Sequence, residues 1–220
     1  MNKIANNIVV LILFMLLVEQ TASTAQTFSG VSGMVNAGYI WTPALSSSHR
    51  SLTSDTIPFR KGYTMIGTDI NYRNGRRIIS VAGYIGFQEG RWLDRHIIEP
   101  FLWKTHAAFG WGVYSNRSVF IYPLVGIGAT GSSLTWYSRD RITTQHIKAA
   151  APSMDISLNA DFVLDAVLLN VRGGYTRGLS SSTWHTTADE ERGMLTPRQL
   201  QGWYFTVSVG GMSFLKRKTS

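Results

Sequence analysis

From Gln26 onward, apolar and polar residues alternate one by one over segments of about ten residues, and apolar positions almost nowhere recur at helical spacing. A period of two belongs to a strand with one face in apolar surroundings. Eight segments carry it, at 30–40, 63–73, 77–88, 99–114, 118–130, 155–164, 167–177 and 201–215. Strands of about ten residues, tilted near 45°, cross a bilayer, whereas strands of soluble folds more often have ~5 to 6 residues.

The connections sort these strands further. Asn74-Gly75, Ser115-Asn116-Arg117 and Asp165-Ala166 are short, and Asn-Gly suits a type I′ hairpin because both central positions there take positive φ. The segments 41–62, 89–98, 131–154 and 178–200 are long and rich in Ser, Thr, Arg, His and Pro. Long and short alternate throughout, so an up-and-down antiparallel chain gathers all long loops at one end and all tight turns, with both termini, at the other. The expected fold is all-β, an eight-stranded antiparallel up-and-down transmembrane β-barrel.

In the second, fourth, sixth and seventh segments one face is apolar, as with Phe101, Trp103, Phe109 and Trp111 against Lys104 and His106. Asp69, Lys104, Asp161 and Arg172 all fall opposite the apolar series. A charge at mid-bilayer on the lipid face costs about 2 to 4 kcal/mol. These four, with His106, are therefore assigned to an interior polar cluster, in which two acids and two bases balance as buried charges must. Tyr63, Met65 and Tyr84 share that interior, and an eight-stranded bore is just wide enough for side chains to fill. On the outward phase, Tyr39, Tyr72, Trp103, Trp111, Tyr175 and Trp203 are expected to form girdles where apolar core meets headgroups.

The first 25 residues break the strand pattern. Lys3 stands in a short leader without acids, residues 8–18 are uninterruptedly apolar, and 19–25 turn small and polar, with Ser23 and Ala25 ahead of Gln26. This is the order of a cleaved secretory signal. Its apolar run spans about 16 Å as a helix, well short of the roughly 20 residues of a spanning helix, so an uncleaved anchor is the weaker reading. The chain divides into a signal peptide, 1–25, and a barrel domain, 26–220.

Composition narrows the rest. With 44% apolar residues and 15% charged, the 220-residue chain is no disordered linker. No cysteine is present, which excludes a disulfide framework, a thiolate metal site and a lipidated cysteine anchor. The net charge of +8 raises the question of nucleic acid. Its excess, however, collects at the turn end, in Arg73, Arg76, Arg77, Arg117, Lys216, Arg217 and Lys218 against Asp165. A nucleic-acid groove needs bases tracking one surface with stacking aromatics, so no nucleic acid is expected as partner.

With its punctuation, its strand length and a final segment running from Val207 to an aromatic at Phe214, the chain resembles the small eight-stranded outer-membrane barrels of Gram-negative bacteria, of the OmpX, OmpW and OmpA-barrel type. It departs from them in the residues that follow Phe214. The resemblance implies the bacterial outer membrane after signal-peptide cleavage, insertion by the barrel-assembly machinery, contact with outer-membrane lipid and lipopolysaccharide, and a monomer. It implies no single activity.

No catalytic residue, cofactor or metal is expected. His49, His96, His146 and His185 lie in or beside loops without ligand spacing, and His106 is expected to hydrogen-bond in the interior. Trp136, Tyr137, Arg139, Arg141 and Trp184 form a candidate loop binding surface, aromatics beside arginines being common in interfaces; packing of these loops onto the barrel mouth is the alternative. The reading is a structural or surface-binding barrel with four long external loops and no wide pore. A narrow solute channel or lipid A-modifying enzyme is the second reading, and a soluble lipocalin-like carrier the third.

Overall fold

The computed structural model describes residues 29–53, 59–93, 96–116, 118–138, 142–164, 167–186 and 190–214. The expected signal segment, 1–25, lies outside them, as do Arg117, Arg139, Arg141, Asp165, Lys216, Arg217 and Lys218. Eight strands form the wall: β1 (Ser29–Trp41), β2 (Gly62–Asn74), β3 (Arg77–Phe87), β4 (His96–Trp111), β5 (Val119–Tyr137), β6 (Thr143–Leu164), β7 (Val167–Gly178) and β8 (Gly202–Phe214). Each pairs antiparallel with the next. β8 then pairs with β1, from Gly30 opposite Phe214 to Trp41 opposite Trp203, and this closes an eight-stranded barrel without a free edge.

Alternation along each strand sets the partition. Val35, Ile70, Val81, Ile127, Leu158 and Val207 point outward and are exposed. Asn36, Asp69, Ala82, Asn159, Arg172 and Thr206, of the opposite phase, point inward and are buried. An exterior this apolar is stable against acyl chains and not against water, as in a transmembrane barrel. Outside, Trp41, Trp203 and Tyr175 form one cross-strand row at the loop end, with the Tyr175 and Trp203 rings 4.9 Å apart. Tyr39 lies beside this row, while Tyr72 and Trp111 stand at the turn end.

Four features differ from the sequence pattern. The β2–β3 turn closes between Asn74 and Arg77, with Gly75 at φ 61° in the first central position, one residue later than Asn-Gly alone suggests. Loop 131–154 is mostly strand, since β5 and β6 run beyond the wall as a paired hairpin. Loop 178–200 holds a second hairpin, Ser182–Thr186 against Glu191–Leu195. Loop 41–62 holds a helix, α1 (Pro43–Leu52), with Pro43 at its start. Its buried face is Leu45, Ser46, Ser48 and His49, so polar residues occupy positions where a helical period would show apolar ones.

The interior is layered. An apolar cluster at the mouth includes Ile40, Leu45, Tyr63, Leu102, Trp184 and Leu200. A second, of Ile78, Ala108, Phe120, Tyr122 and Leu124, fills the turn end, and polar residues occupy the space between. Ile127, 70% exposed and midway along the wall, tests this inside-out arrangement. Ile127→Arg is expected to cost about 2 to 4 kcal/mol of folding free energy in urea titrations in phospholipid vesicles, and a change below about 0.5 kcal/mol would mean that this face does not meet hydrocarbon.

Candidate functional site

Among the described residues, three acid–base pairs cross the bore. Arg172, on β7, donates from Nη2 to Asp69 Oδ2 of β2 at 2.8 Å, while its other nitrogens reach Asn159 and the Tyr84 hydroxyl. Lys104, on β4, bonds Asp155 of β6 and lies 3.8 Å from the centre of the Tyr204 ring. Tyr204 donates its hydroxyl proton to the second oxygen of Asp155 at 2.6 Å. Arg73 bonds Asp161, which also accepts from Asn170 at 2.6 Å and Tyr122 at 3.2 Å. All six charged side chains are 3% exposed or less. Their net charge is zero, the condition under which desolvated ions are tolerable.

Asp69, Lys104, His106, Asp161 and Arg172, the residues of the predicted interior cluster, all stand in this lumen. Two partners were not legible. Asp155 opens the predicted sixth strand, but β6 begins twelve residues earlier, at Thr143, which puts Asp155 deep in the wall. Arg73, last but one in β2, reads as part of the basic turn-end rim; the structure folds it inward instead, with its guanidinium 3.6 Å from the Phe120 ring centre. Both signals were present as inward phase: Arg73 shares it with Asp69, and Asp155 with Asp161. His106 does not hydrogen-bond as expected. Its ring stacks on Tyr84 at 5.9 Å and 13°, with Nε2 4.0 Å from Asp155.

α1 closes the loop end. His49 bridges Tyr63 and Ser132 through Nδ1 and Nε2, at 3.1 and 3.0 Å. Ser132 donates its own proton to the Phe101 carbonyl at 2.8 Å. Its oxygen must therefore accept from Nε2–H, leaving Nδ1 to accept from the Tyr63 hydroxyl. That tautomer satisfies every group with neutral imidazole, and burial pushes the His49 pKa down to about 3. The chain of donors ends on a backbone carbonyl and contains no carboxylate, so Ser132 is held as a donor rather than activated as a nucleophile. Among the described residues no group of three or more His, Asp or Glu is placed to hold a metal ion.

The candidate loop surface does not assemble as drawn from sequence. Trp184 is 1% exposed and packs edge-on against His49 at 5.7 Å, so it belongs to the mouth plug. Trp136 is half-buried against the mouth cluster and against Phe59, Ile98 and Leu134. Tyr137, also half-buried, ends β5 at the tip of the long hairpin, and Arg139 and Arg141 fall outside the described residues.

Asp69→Asn leaves the Arg172 guanidinium buried without its carboxylate, and a loss of about 3 to 5 kcal/mol is expected in urea titrations. Asp69→Leu with Arg172→Met should lose less than the sum of the single changes, and strict additivity would show the pair uncoupled. For His49, undocked imidazole with an ordinary pKa of 6.5 takes up a proton that the docked ring refuses until about 3. Docking of α1 is thus fully favoured above pH 6.5 and weakens as pH falls toward 3. Amide-exchange protection across α1, corrected for intrinsic rates, should drop between about pH 7 and 4, and His49→Gln should flatten that response.

No protein-family model matches the chain, and no curated protein matches it in sequence. Solved structures do match in shape. A major outer membrane protein from Thermus thermophilus is 7% identical, with a TM-score of 0.52 over 84% of this chain and 99% of that one. Neisserial surface protein A is 8% identical, with a TM-score of 0.51 over 83% and 96%. OprG from Pseudomonas aeruginosa is 11% identical, with a TM-score of 0.50 over 86% and 98%. The chain therefore has the fold of the small eight-stranded outer-membrane barrels, and its structural neighbours are bacterial outer-membrane proteins.

Proposed function

We propose that the chain is exported under the direction of residues 1–25, is inserted into a Gram-negative outer membrane by the barrel-assembly machinery, and serves there as a monomeric, non-conducting barrel. Its role is structural or surface-binding and is carried by the external loops. The observation that supports this most directly is the filled bore: three neutral ion pairs between two apolar layers, with α1 docked over the mouth. An ion crossing it would have to displace a buried salt bridge, whose breakage costs several kcal/mol. The apolar outer face and the likeness in shape to outer-membrane barrels support the location.

Reconstitution into planar bilayers is the test. The purified protein should migrate faster on gels unheated than boiled and give no conductance steps above background. Recurrent steps would favour the narrow channel, and recovery from cells in the aqueous fraction without detergent would remove the membrane reading.

A further inference from the structure

α1 has two working faces. Leu45, Ser46 and His49 turn into the mouth, whereas Ala44, Ser47, Ser48, Ser51 and Leu52 recur at helical spacing and make a second stripe along its side. Facing that stripe is the hairpin of Ser182–Thr186 and Glu191–Leu195, which β6 holds in place by pairing Ile147 with Thr186 and Lys148 with His185. Between helix and hairpin lies a cavity of about 260 Å³, lined on the hairpin side by Trp184, Gly193 and Met194, with Gln199 beside them. Gly193, at φ 113°, has a backbone conformation that other residues disfavour, and nothing stands within 4 Å of where its Cβ would be. The cavity is open there.

Its chemistry is mixed and uncharged. Trp184, Met194, Ala44 and Leu52 supply carbon surface, the three serines supply hydroxyls, and Gln199 supplies an amide. Among the described residues no ionisable side chain lines the cavity, so it offers no counter-charge to a phosphate, sulfate or carboxylate. Ser48 is 8% exposed, and its hydroxyl, able to donate and to accept, has no protein partner. Its neighbours on the helix are satisfied, Ser46 by the Arg60 carbonyl and Ser47 by the Pro43 carbonyl. A buried hydroxyl left alone is costly. The Trp184 indole N–H is buried without a partner as well. Gln199 Oε1 accepts from the Thr196 amide at 2.6 Å, which leaves its NH₂ group to donate elsewhere.

The cavity is smaller than the roughly 300 to 1,000 Å³ of sites for drug-sized ligands, so it takes a single ring. A pyranose divides its surface as the cavity does, into a C–H face and a fringe of hydroxyls. A fatty chain would leave Ser48 unpartnered, and a charged ligand would find no opposite charge on the lining. Ser47, Ser51 and Met194 are exposed at the rim, which leaves room for further sugars to continue outward. We infer that this cavity binds one uncharged pyranose at the end of an external glycan, with its C–H face against Met194 and Leu52 and its hydroxyls on Ser48, Ser51 and Gln199. This deepens the surface-binding role and rests on that reading.

The test is titration of the methyl glycosides of glucose, galactose, mannose and N-acetylglucosamine into the protein in phosphatidylcholine nanodiscs, followed by saturation-transfer NMR. At least one should bind with a dissociation constant of about 1 mM, the strength open to so small a ligand. Ser48→Ala should weaken that binding by about fivefold without lowering the thermal stability of the empty barrel, and Ser51→Phe, which fills the cavity, should abolish it. Arg50→Ala, on the same helix but outside the cavity, should leave it unchanged. Bound sugar should also raise amide-exchange protection across both walls, α1 and 182–195. Heat-dependent gel mobility confirms that each variant is folded. Undiminished binding by folded Ser51→Phe overturns the inference, and so does equal binding of cyclohexanol, which keeps a ring and loses the hydroxyl fringe. Binding of the free sugars but not of their methyl glycosides overturns the glycan assignment, because O1 must then be unsubstituted. A folded, non-conducting barrel that binds none of the four overturns this inference alone; a protein that fails to enter bilayers overturns the outer-membrane reading as well.

Discussion

Neutralisation of charge inside a closed cylinder is the constraint on which the structure depends. Closing eight strands pairs each wall strand on both sides but leaves a bore too narrow for bulk water, and among the described residues six paired charged side chains occupy it. Each has an opposite partner on a strand across the bore or around the wall: Asp69 with Arg172, Asp155 with Lys104, and Asp161 with Arg73. Because the partners sit on different strands, each pair ties the register of one part of the wall to another. A slip of one residue in β2 would turn Asp69 and Arg73 into lipid together and leave Arg172 and Asp161 unpaired. Apolar residues outside and paired ions inside are thus two faces of one requirement.

The tyrosines make that arrangement tighter. Tyr84, Tyr122 and Tyr204 each hold a hydroxyl against a charged partner while their rings fill the space that water would otherwise take. At the mouth the chemistry changes from ionic to neutral. His49 is satisfied by one donor and one acceptor of matching polarity, and its burial among Tyr63, Trp184 and Phe59 keeps it uncharged. α1 consequently docks without a counter-ion, and the apolar layer it completes shields the ion pairs below from external solvent.

Function, on this reading, is displaced outward from a filled lumen. The wall has nearly uniform height except where β4, β5 and β6 continue past it. That extension converts a loop into a paired sheet and holds side chains of alternate phase in fixed register beyond the wall. A flexible connection of the same length could present the same residues, but not in rows whose spacing is set by strand pairing.

Strand number, the alternation of tight and long connections, and the inward assignment of Asp69, Lys104, Asp161 and Arg172 were legible in the chain itself. Each follows from local rules: a period of two, the turn preference of glycine after asparagine, and the cost of charge in hydrocarbon. What only the tertiary structure decided is who meets whom. Arg73 reads as a rim base because it is the last but one residue of its strand, yet barrel tilt and stagger bring Asp161 to the same height across the bore. Asp155 reads as a strand start because Ala149, Ala151 and Ser153 are too small to announce the strand that precedes it. α1 escaped because its buried face is made of Ser46, Ser48 and His49, polar residues whose burial is made acceptable by Arg60, Tyr63 and Ser132 from other parts of the chain. Alternation is a property of neighbours along the sequence, whereas pairing of charges and docking of polar faces depend on residues brought together only when the cylinder closes.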